Sequence, residues 1–399
     1  MPTRPWADAR HGREADGRPR VRHACARMAH CLIVAPMVAS GAPVLRDVLS
    51  SALDAVLGRP NVLGLPSRRR VVVLLVDGLG HEALSARAGH ARTLTGAGRR
   101  RMATGGPTTT AAALTSLSTG VDPGVHGVVG FSALDPAADR VVNQLRGFDA
   151  DLPDGWQRAG TVFERATAEG VAALAVGPRH YATSGFTREV LRGARYVGAR
   201  TIEERLEAAF DGLRTAGRGI AYCYVPELDV AAHRDGWGAP GWTDLLERVD
   251  GAVRDAARGL RPGETLLVTA DHGMVDVPET AHVLLDERGL LQGVRHLAGE
   301  PRLVHVHLDP STAPEEALPR WSEALADVAD VLDRQQAVDA GWFGEVVPEV
   351  LPRIGDLLVA ARGRAAIYAT ADAHGRGMVG QHGAWSPAER FVPLVRLDA

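Results

Sequence analysis

The chain has 399 residues, 45% hydrophobic and 23% charged, the balance of a globular protein with enough apolar material for a large core. Lys plus Arg (45) nearly cancels Asp plus Glu (48), and the formal net charge of -3 provides no overall basic field for a nucleic-acid polymer or an anionic membrane. The cysteines Cys25, Cys31 and Cys223 are odd in number and lack zinc-finger spacing, which speaks against a disulfide framework and for a reducing compartment.

Residues 1–44 read as a disordered or extended arm. The first thirty are rich in Arg, His and Asp without apolar periodicity, so they cannot offset the entropy of ordering, and Met28 is an alternative initiator. Cys31 to Leu45 (CLIVAPMVASGAPVL) has the outline of a secretory signal, but acidic residues precede it and Pro36 interrupts it. A cytoplasmic protein is therefore expected, with export the alternative if residues 1–42 act as a signal. No apolar run approaches the roughly 20 residues of a membrane span.

From residue 45 to 399, apolar β-branched runs alternate with segments of helical period. This predicts one α/β domain with a mainly parallel sheet and helices on both faces. Arg70–Val76 (RVVVLLV) is the first strand, and Asp77 follows at its C-terminal end, where open α/β sheets collect ligand-binding groups. Taken alone, Asp77 reads better as a cap on the next helix than as a metal ligand. Gly105–Gly120 (GGPTTTAAALTSLSTG) turns, offers three hydroxyls and becomes helical near Thr110, where free N–H groups favour a phosphate or an alkoxide; the bland alternative is an N-cap.

Val171–Val176 is the next strand, Thr201–Ala216 a covering helix and Gly219–Val225 a further strand. PELDVAAHRDGWG then sets Asp229 and His233 four residues apart, on one side of a helical turn, a donor pair that suits zinc but is common by chance. Thr243–Leu260 carries Leu246, Val249, Val253 and Ala256 on one stripe. Strand Glu264–Ala270 runs into LLVTADHGMVD, which places Asp271 and His272 at a strand end, with Gly273 read as keeping bulk out of the site. Here the ligand reading outweighs a buried ion pair. Arg302–Leu308 is read as a further strand of the sheet core, and 276–362 is the stretch where a small sub-domain could be inserted. Late in the chain, GQHGAW supplies His382, with His374 in AHGRG as its competitor.

VDG, a threonine run before a helix ending in TG, D-x-x-x-H, DHG and a late HG occur in an order that resembles the type I phosphodiesterase/nucleotide pyrophosphatase family of the alkaline phosphatase superfamily. The resemblance spans about Arg70 to Trp385 and is most specific at DHGM. It implies an alkaline phosphatase-like fold with two divalent ions, zinc first and manganese second. One ion would be held by Asp229, His233 and His382, the other by Asp77, Thr110, Asp271 and His272. Thr110, placed by counting back from Thr119–Gly120, would be the nucleophile, with Thr109 its replacement if the register slips by one. The implied reaction is hydrolysis of phosphodiester or nucleotide pyrophosphate bonds in a small phosphorylated substrate, a nucleotide among the candidates, through a phosphothreonine intermediate.

Two departures from the family pattern bear on the substrate. An Asn expected three residues after the nucleophile is Ala113, the loss of an oxyanion donor, and no leaving-group pocket is recognisable between Gly130 and Tyr196, where Trp156, Phe163 and Tyr181 are the aromatics available to stack a base. A sulfatase or a cofactor-independent phosphoglycerate mutase is disfavoured by Thr110. A phosphomonoesterase or phosphonate hydrolase stays open. So does a catalytically weak metal-binding homologue, which Ala113 favours and the survival of six Asp and His candidates opposes.

Overall fold

In the computed structural model, which describes residues 42–96 and 98–399, the central sheet runs Arg100–Ala103, Phe391–Asp398, Glu264–Thr269, Arg70–Val76, Gly219–Val225, Ala172–Gly177, Arg195–Gly198. The expectations for the N-terminal segment up to residue 41 lie outside the described residues. The five strands from Glu264–Thr269 to Arg195–Gly198 are parallel, and Phe391–Asp398 joins the sheet antiparallel on both of its sides. Val71 to Val76 are wholly buried because helices cover both faces. Each such Val or Leu contributes roughly 1.5–3 kcal/mol.

The helices fall into two layers. Asp47–Leu57, Thr110–Thr119 and Val162–Ala168 pack with one another, as do Ile202–Ala216, Glu227–Asp235 and Pro240–Arg258 across the sheet. Ile202–Ala216 starts at a capping box between Thr201 and Glu204 and buries Ile202, Leu206, Ala209, Phe210 and Leu213. Pro240–Arg258 begins with Pro at its first turn and buries Leu246, Val249 and Val253 of the predicted stripe, whose fourth member, Ala256, is half-buried. Among the described residues no helix is long and apolar enough to cross a membrane.

The stretch expected as an insertion forms a separate antiparallel sheet in the order Val294–Glu300, Leu303–Leu308, Leu357–Ala361, Ala329–Asp333. The strand read at 302–308 thus belongs here and not to the parallel core, since a buried apolar run says nothing of which sheet it joins. Val304, Val306, Leu357 and Val359 face Trp321 of the helix Pro314–Ala324, whereas Leu303, Leu358 and Ala360 face the packing around Ala111 and Phe343. One side of the second sheet therefore backs onto the first turn of the Thr110–Thr119 helix. A fully buried ion pair ties it further: Arg302 donates from Nε and Nη2 to both oxygens of Glu389, at 2.8 and 2.7 Å.

Candidate active site

The parallel strands deliver their C-terminal ends to one edge, with Val76 opposite Val225 and Leu75 opposite Thr269. Asp77 follows the first, and the helix bearing Asp229 and His233 follows the second. Asp271 and His272 follow the third. Gly78 makes this convergence possible: its φ of +72° and missing side chain let the backbone pass Asp229, whose Cα would lie 3.1 Å from any added Cβ. Gly273 acts differently from the expectation. A Cβ there would meet the Ala388 carbonyl at 2.0 Å and Gly80 Cα at 2.6 Å, so this glycine permits a backbone crossing behind the site and does not clear the site itself.

All seven residues singled out in the sequence come together. His272 is their centre, with Nε2 at 3.5 Å from both Asp77 Oδ1 and Asp271 Oδ2 and 3.1 Å from Thr110 Oγ1. His382 stacks on it at 3.7 Å between ring centroids, and His233 Nε2 lies 3.4 Å from Asp229 Oδ1. Among the described residues, two trios have donor atoms within 4.8 Å of one another: Asp77, Asp271, His272 and Asp229, His272, His382. His272 thus belongs to both trios, a sharing the expected division of ligands did not contain, and His233 stands just outside the second.

Each side chain is aimed by its surroundings. Nδ1 of His233 donates to the Gly380 carbonyl (2.7 Å), that of His382 to the Thr108 carbonyl (2.9 Å) and that of His272 to the Gly273 carbonyl (3.3 Å), which turns all three Nε2 atoms inward. Asp77 Oδ2 accepts from the Tyr224 hydroxyl; Asp271 Oδ1 accepts from the N–H groups of Gly78 (3.2 Å) and His272 (3.0 Å). Asp77 Oδ1, Asp229 Oδ1 and Asp271 Oδ2 are buried without a hydrogen-bond partner. Three oriented carboxylate oxygens and neutral imidazole nitrogens, left open at one focus, fit divalent cations such as zinc.

The electrostatics agree. Burial, then the charge of Asp271, pushes the Asp77 carboxyl well above its ordinary range; burial and a neighbouring carboxylate push Asp229 and Asp271 each up to about 7. Burial lowers His272 to about 3 and His382 well below the usual imidazole range. Carboxylates crowded this way must be relieved by protons or by cations.

The three threonines have separate roles. Thr108 Oγ1 donates to the Ala384 carbonyl (2.8 Å) and accepts from Gly383 N–H (3.1 Å), fixing the loop that carries His382. Thr109 is the buried N-cap residue, and Thr110 opens the helix with its hydroxyl on His272. Glu389 braces the same loops. Its carboxylate accepts from Ala384 N–H (3.0 Å) as well as Arg302, and its carbonyl accepts from Gly273 N–H (2.8 Å). His374, the competitor of His382, is exposed on a turn.

A cavity of about 310 Å³ opens beside Thr110, Asp77 and Asp229. Tyr181, Tyr196, Tyr222 and Tyr224, four of the chain's five tyrosines, line it with Phe186. Of the aromatics read from the sequence only Tyr181 is there; Trp156 is held by Gln144 and Phe163 is wholly buried in the main core. The missed signal was the Tyr222–Cys223–Tyr224 alternation, which sends both rings to one face of the strand. Ala113 also packs in the main core, one residue before cavity-lining Leu114, so the absence of an amide side chain at 113 leaves the cavity wall unaltered.

A family model of type I phosphodiesterase / nucleotide pyrophosphatase matches residues 71–385. The chain belongs to that family. Murine ectonucleotide pyrophosphatase / phosphodiesterase 5 has a similar fold, with a TM-score of 0.65 at 16% identity over 81% of this chain and 87% of that one. Phosphonoacetate hydrolase from Sinorhizobium meliloti 1021, solved with phosphonoformate, is similar at a TM-score of 0.65 and 19% identity over 84% of this chain and 91% of that one. No curated protein matches the chain in sequence. The phosphodiesterase family membership thus comes from the sequence match, and the solved structures add the alkaline phosphatase-like fold.

Proposed function

We propose that this family member hydrolyses phosphodiester or nucleotide pyrophosphate bonds with Thr110 as nucleophile. The reading is carried by one observation: the Thr110 hydroxyl, at the first turn of its helix, stands 3.1 Å from a buried neutral imidazole whose Nε2 lies 3.5 Å from the unpartnered oxygens of Asp77 and Asp271. Asp77, Asp271, His272 and Thr110 would hold one divalent ion and Asp229, His233 and His382 the other, zinc by the donor chemistry and manganese as the alternative. Bound at this focus, such ions supply Lewis-acid stabilisation of the entering and leaving oxygens.

The chain's own groups do the rest. The Thr110 oxygen attacks phosphorus as its proton passes to solvent, His272 Nε2 being committed to the ion, and the helix N-terminus stabilises the growing negative charge. That attack breaks the bond from phosphorus to the opposite oxygen, releasing the alcohol or phosphate leaving group, and the phosphothreonine-type ester left behind is cleaved by water to phosphate product and free Thr110. Tyr224 and the Gly78 amide keep Asp77 and Asp271 oriented throughout.

Metal-supplemented protein should be assayed in parallel on a p-nitrophenyl nucleotide diester, a p-nitrophenyl monoester and a phosphonate. Thr110→Ala should lower turnover of the preferred ester by at least about a thousandfold while the bound ions remain, and Thr110→Ser should keep measurable activity. A normal rate in Thr110→Ala would show that water attacks directly. Preference for the phosphonate would transfer the reading to a phosphonate hydrolase.

A further inference from the structure

The helix Glu227–Asp235 presents two faces to different spaces. Asp229 and His233 belong to the Asp/His cluster, whereas Glu227, Val230, Ala231 and Arg234, at i, i+3, i+4 and i+7, line a separate groove. This groove, of about 800 Å³, is walled opposite by Arg179, His180 and Arg200. Tyr181, Pro226 and Val230 border both the groove and the tyrosine-lined cavity, and Val230 is 57% exposed where the two adjoin.

The groove is cationic, and its cations are guanidinium groups throughout because the chain contains no lysine. Of the four arginines lining it, Arg205 is neutralised by Glu227 at 2.7 Å. Arg200 reaches Glu204 only at 3.8 Å, and Arg234 rests on its chain neighbour Asp235 at 2.6 Å; exposed pairs of this kind hold a guanidinium weakly. Arg179 is exposed and, among the described residues, donates no hydrogen bond and closes no ion pair. Its stem is nonetheless seated, since a Cβ at Gly198 would fall 2.9 Å from Arg179 Cγ and 3.0 Å from its Cα. Tyr196 fixes the preceding residue by donating to the Pro178 carbonyl at 2.9 Å. Among the described residues, the one further interaction of Arg179 is the attraction of Glu204, which also lines the groove, so the positioned guanidinium fork keeps its hydrogen-bond donors open to a phosphate.

We infer that this groove is a subsite for a second phosphate of the substrate, carried about 5–10 Å from the reacting phosphorus, one to two turns along the Glu227–Asp235 helix. The inference rests on the Asp/His cluster being the reacting centre. It assigns to the enzyme substrates with two separated phosphoryl groups, such as a nucleoside diester bearing a further terminal phosphate.

Calorimetric titration of the zinc-supplemented full chain with thymidine 3′,5′-bisphosphate and with thymidine 5′-monophosphate tests this without turnover. The bisphosphate should bind about tenfold tighter or more, and Arg179→Ala combined with Arg234→Ala should abolish that difference while leaving the monophosphate unchanged. Arg179→Lys should restore part of it. On p-nitrophenyl thymidine 5′-phosphate with and without a 3′-phosphate, the double variant should raise KM for the phosphorylated ester alone, at unchanged kcat. Equal binding of both ligands by the wild-type protein, or a preference that survives in the double variant, overturns the subsite. An intact binding preference with neither ester turned over would support the subsite and count against the hydrolase reading.

Discussion

Two histidines of this molecule are equally buried and differ in everything around them. His272, at a strand end of the parallel sheet, and His305, inside the antiparallel one, are both wholly buried and both pushed down to about 3 by that burial. His272 meets Asp77 and Asp271 at 3.5 Å and the Thr110 hydroxyl at 3.1 Å. His305 accepts from Gly355 N–H at 3.4 Å and packs edge-on against Phe343. Burial and a perturbed pKa are therefore common to a candidate reacting centre and to a piece of core. Convergent carboxylates with unpartnered oxygens distinguish the two.

The largest test of that contrast is functional. Asp271→Ala should lower turnover by at least about a thousandfold and strip one ion from the protein, as read by elemental analysis, whereas His305→Leu should stay within about threefold of the wild-type rate. Comparable losses in both variants would erase the distinction.

Next in size is the link between the two regions. Glu389→Gln leaves Arg302 buried without its counter-charge, which should cost about 3–5 kcal/mol and lower the melting temperature by several degrees. Because Glu389 also braces the His382 loop, metal affinity should fall in the same variant, while Arg302→Met with Glu389→Gln should recover part of the stability.

The pH dependence of metal-free protein sharpens the comparison further. Asp271, raised from 3.8 to about 7, contributes stability that is full below pH 4 and is lost as the pH climbs through 7; His305, lowered from 6.5 to about 3, contributes stability that is full above pH 6.5 and is lost on acidification toward 3. Melting curves of chelator-treated protein between pH 4 and 8 should accordingly lose part of their alkaline decline in Asp271→Asn, the rest belonging to Asp77 and Asp229, and part of their acid decline in His305→Leu. The same slope in both variants would show that neither group is linked to folding as described.

The smallest effects are expected at residues close to the cluster in sequence but outside it in space. Thr109→Ala removes a hydroxyl that makes no cap hydrogen bond, and His374→Ala alters an exposed turn, so each should change the rate by less than about twofold. A large loss in Thr109→Ala would move the nucleophile by one residue.

Much of this arrangement was legible in the chain itself. Arg70–Val76 and Gly219–Val225 have the predicted bounds because strands covered on both faces must be apolar at every position. The seven candidate residues, singled out by the family resemblance of their motifs, do cluster at the strand ends, since strand ends and a helical i, i+4 pair fix which way a side chain points. The antiparallel strand Phe391–Asp398 and the short edge Arg100–Ala103 went unread, because Pro393 and a run of arginines mask their period. Trp156 and Phe163 were misjudged for a related reason: an aromatic residue in a loop-rich segment looks the same in sequence whether it lines a cavity or fills a core. The tyrosine wall depends on which strands neighbour each other, a long-range fact that local pattern does not carry.

Glu389 gives the molecule an order of assembly. The cluster draws on strand ends spread from residue 77 to 272, yet the loop bearing His382 is clamped by Thr108 and by the late side chain Glu389, itself paired with Arg302 beside the second sheet. During N- to C-terminal synthesis the parallel core can collapse early, while its reacting edge stays unfinished until the second sheet has formed and the final strand has slotted in beside Glu264–Thr269. The three carboxylates thus meet the His382 imidazole only after the second sheet and the Glu389 segment have been made, so the cluster is completed late in folding although most of its strand ends are early.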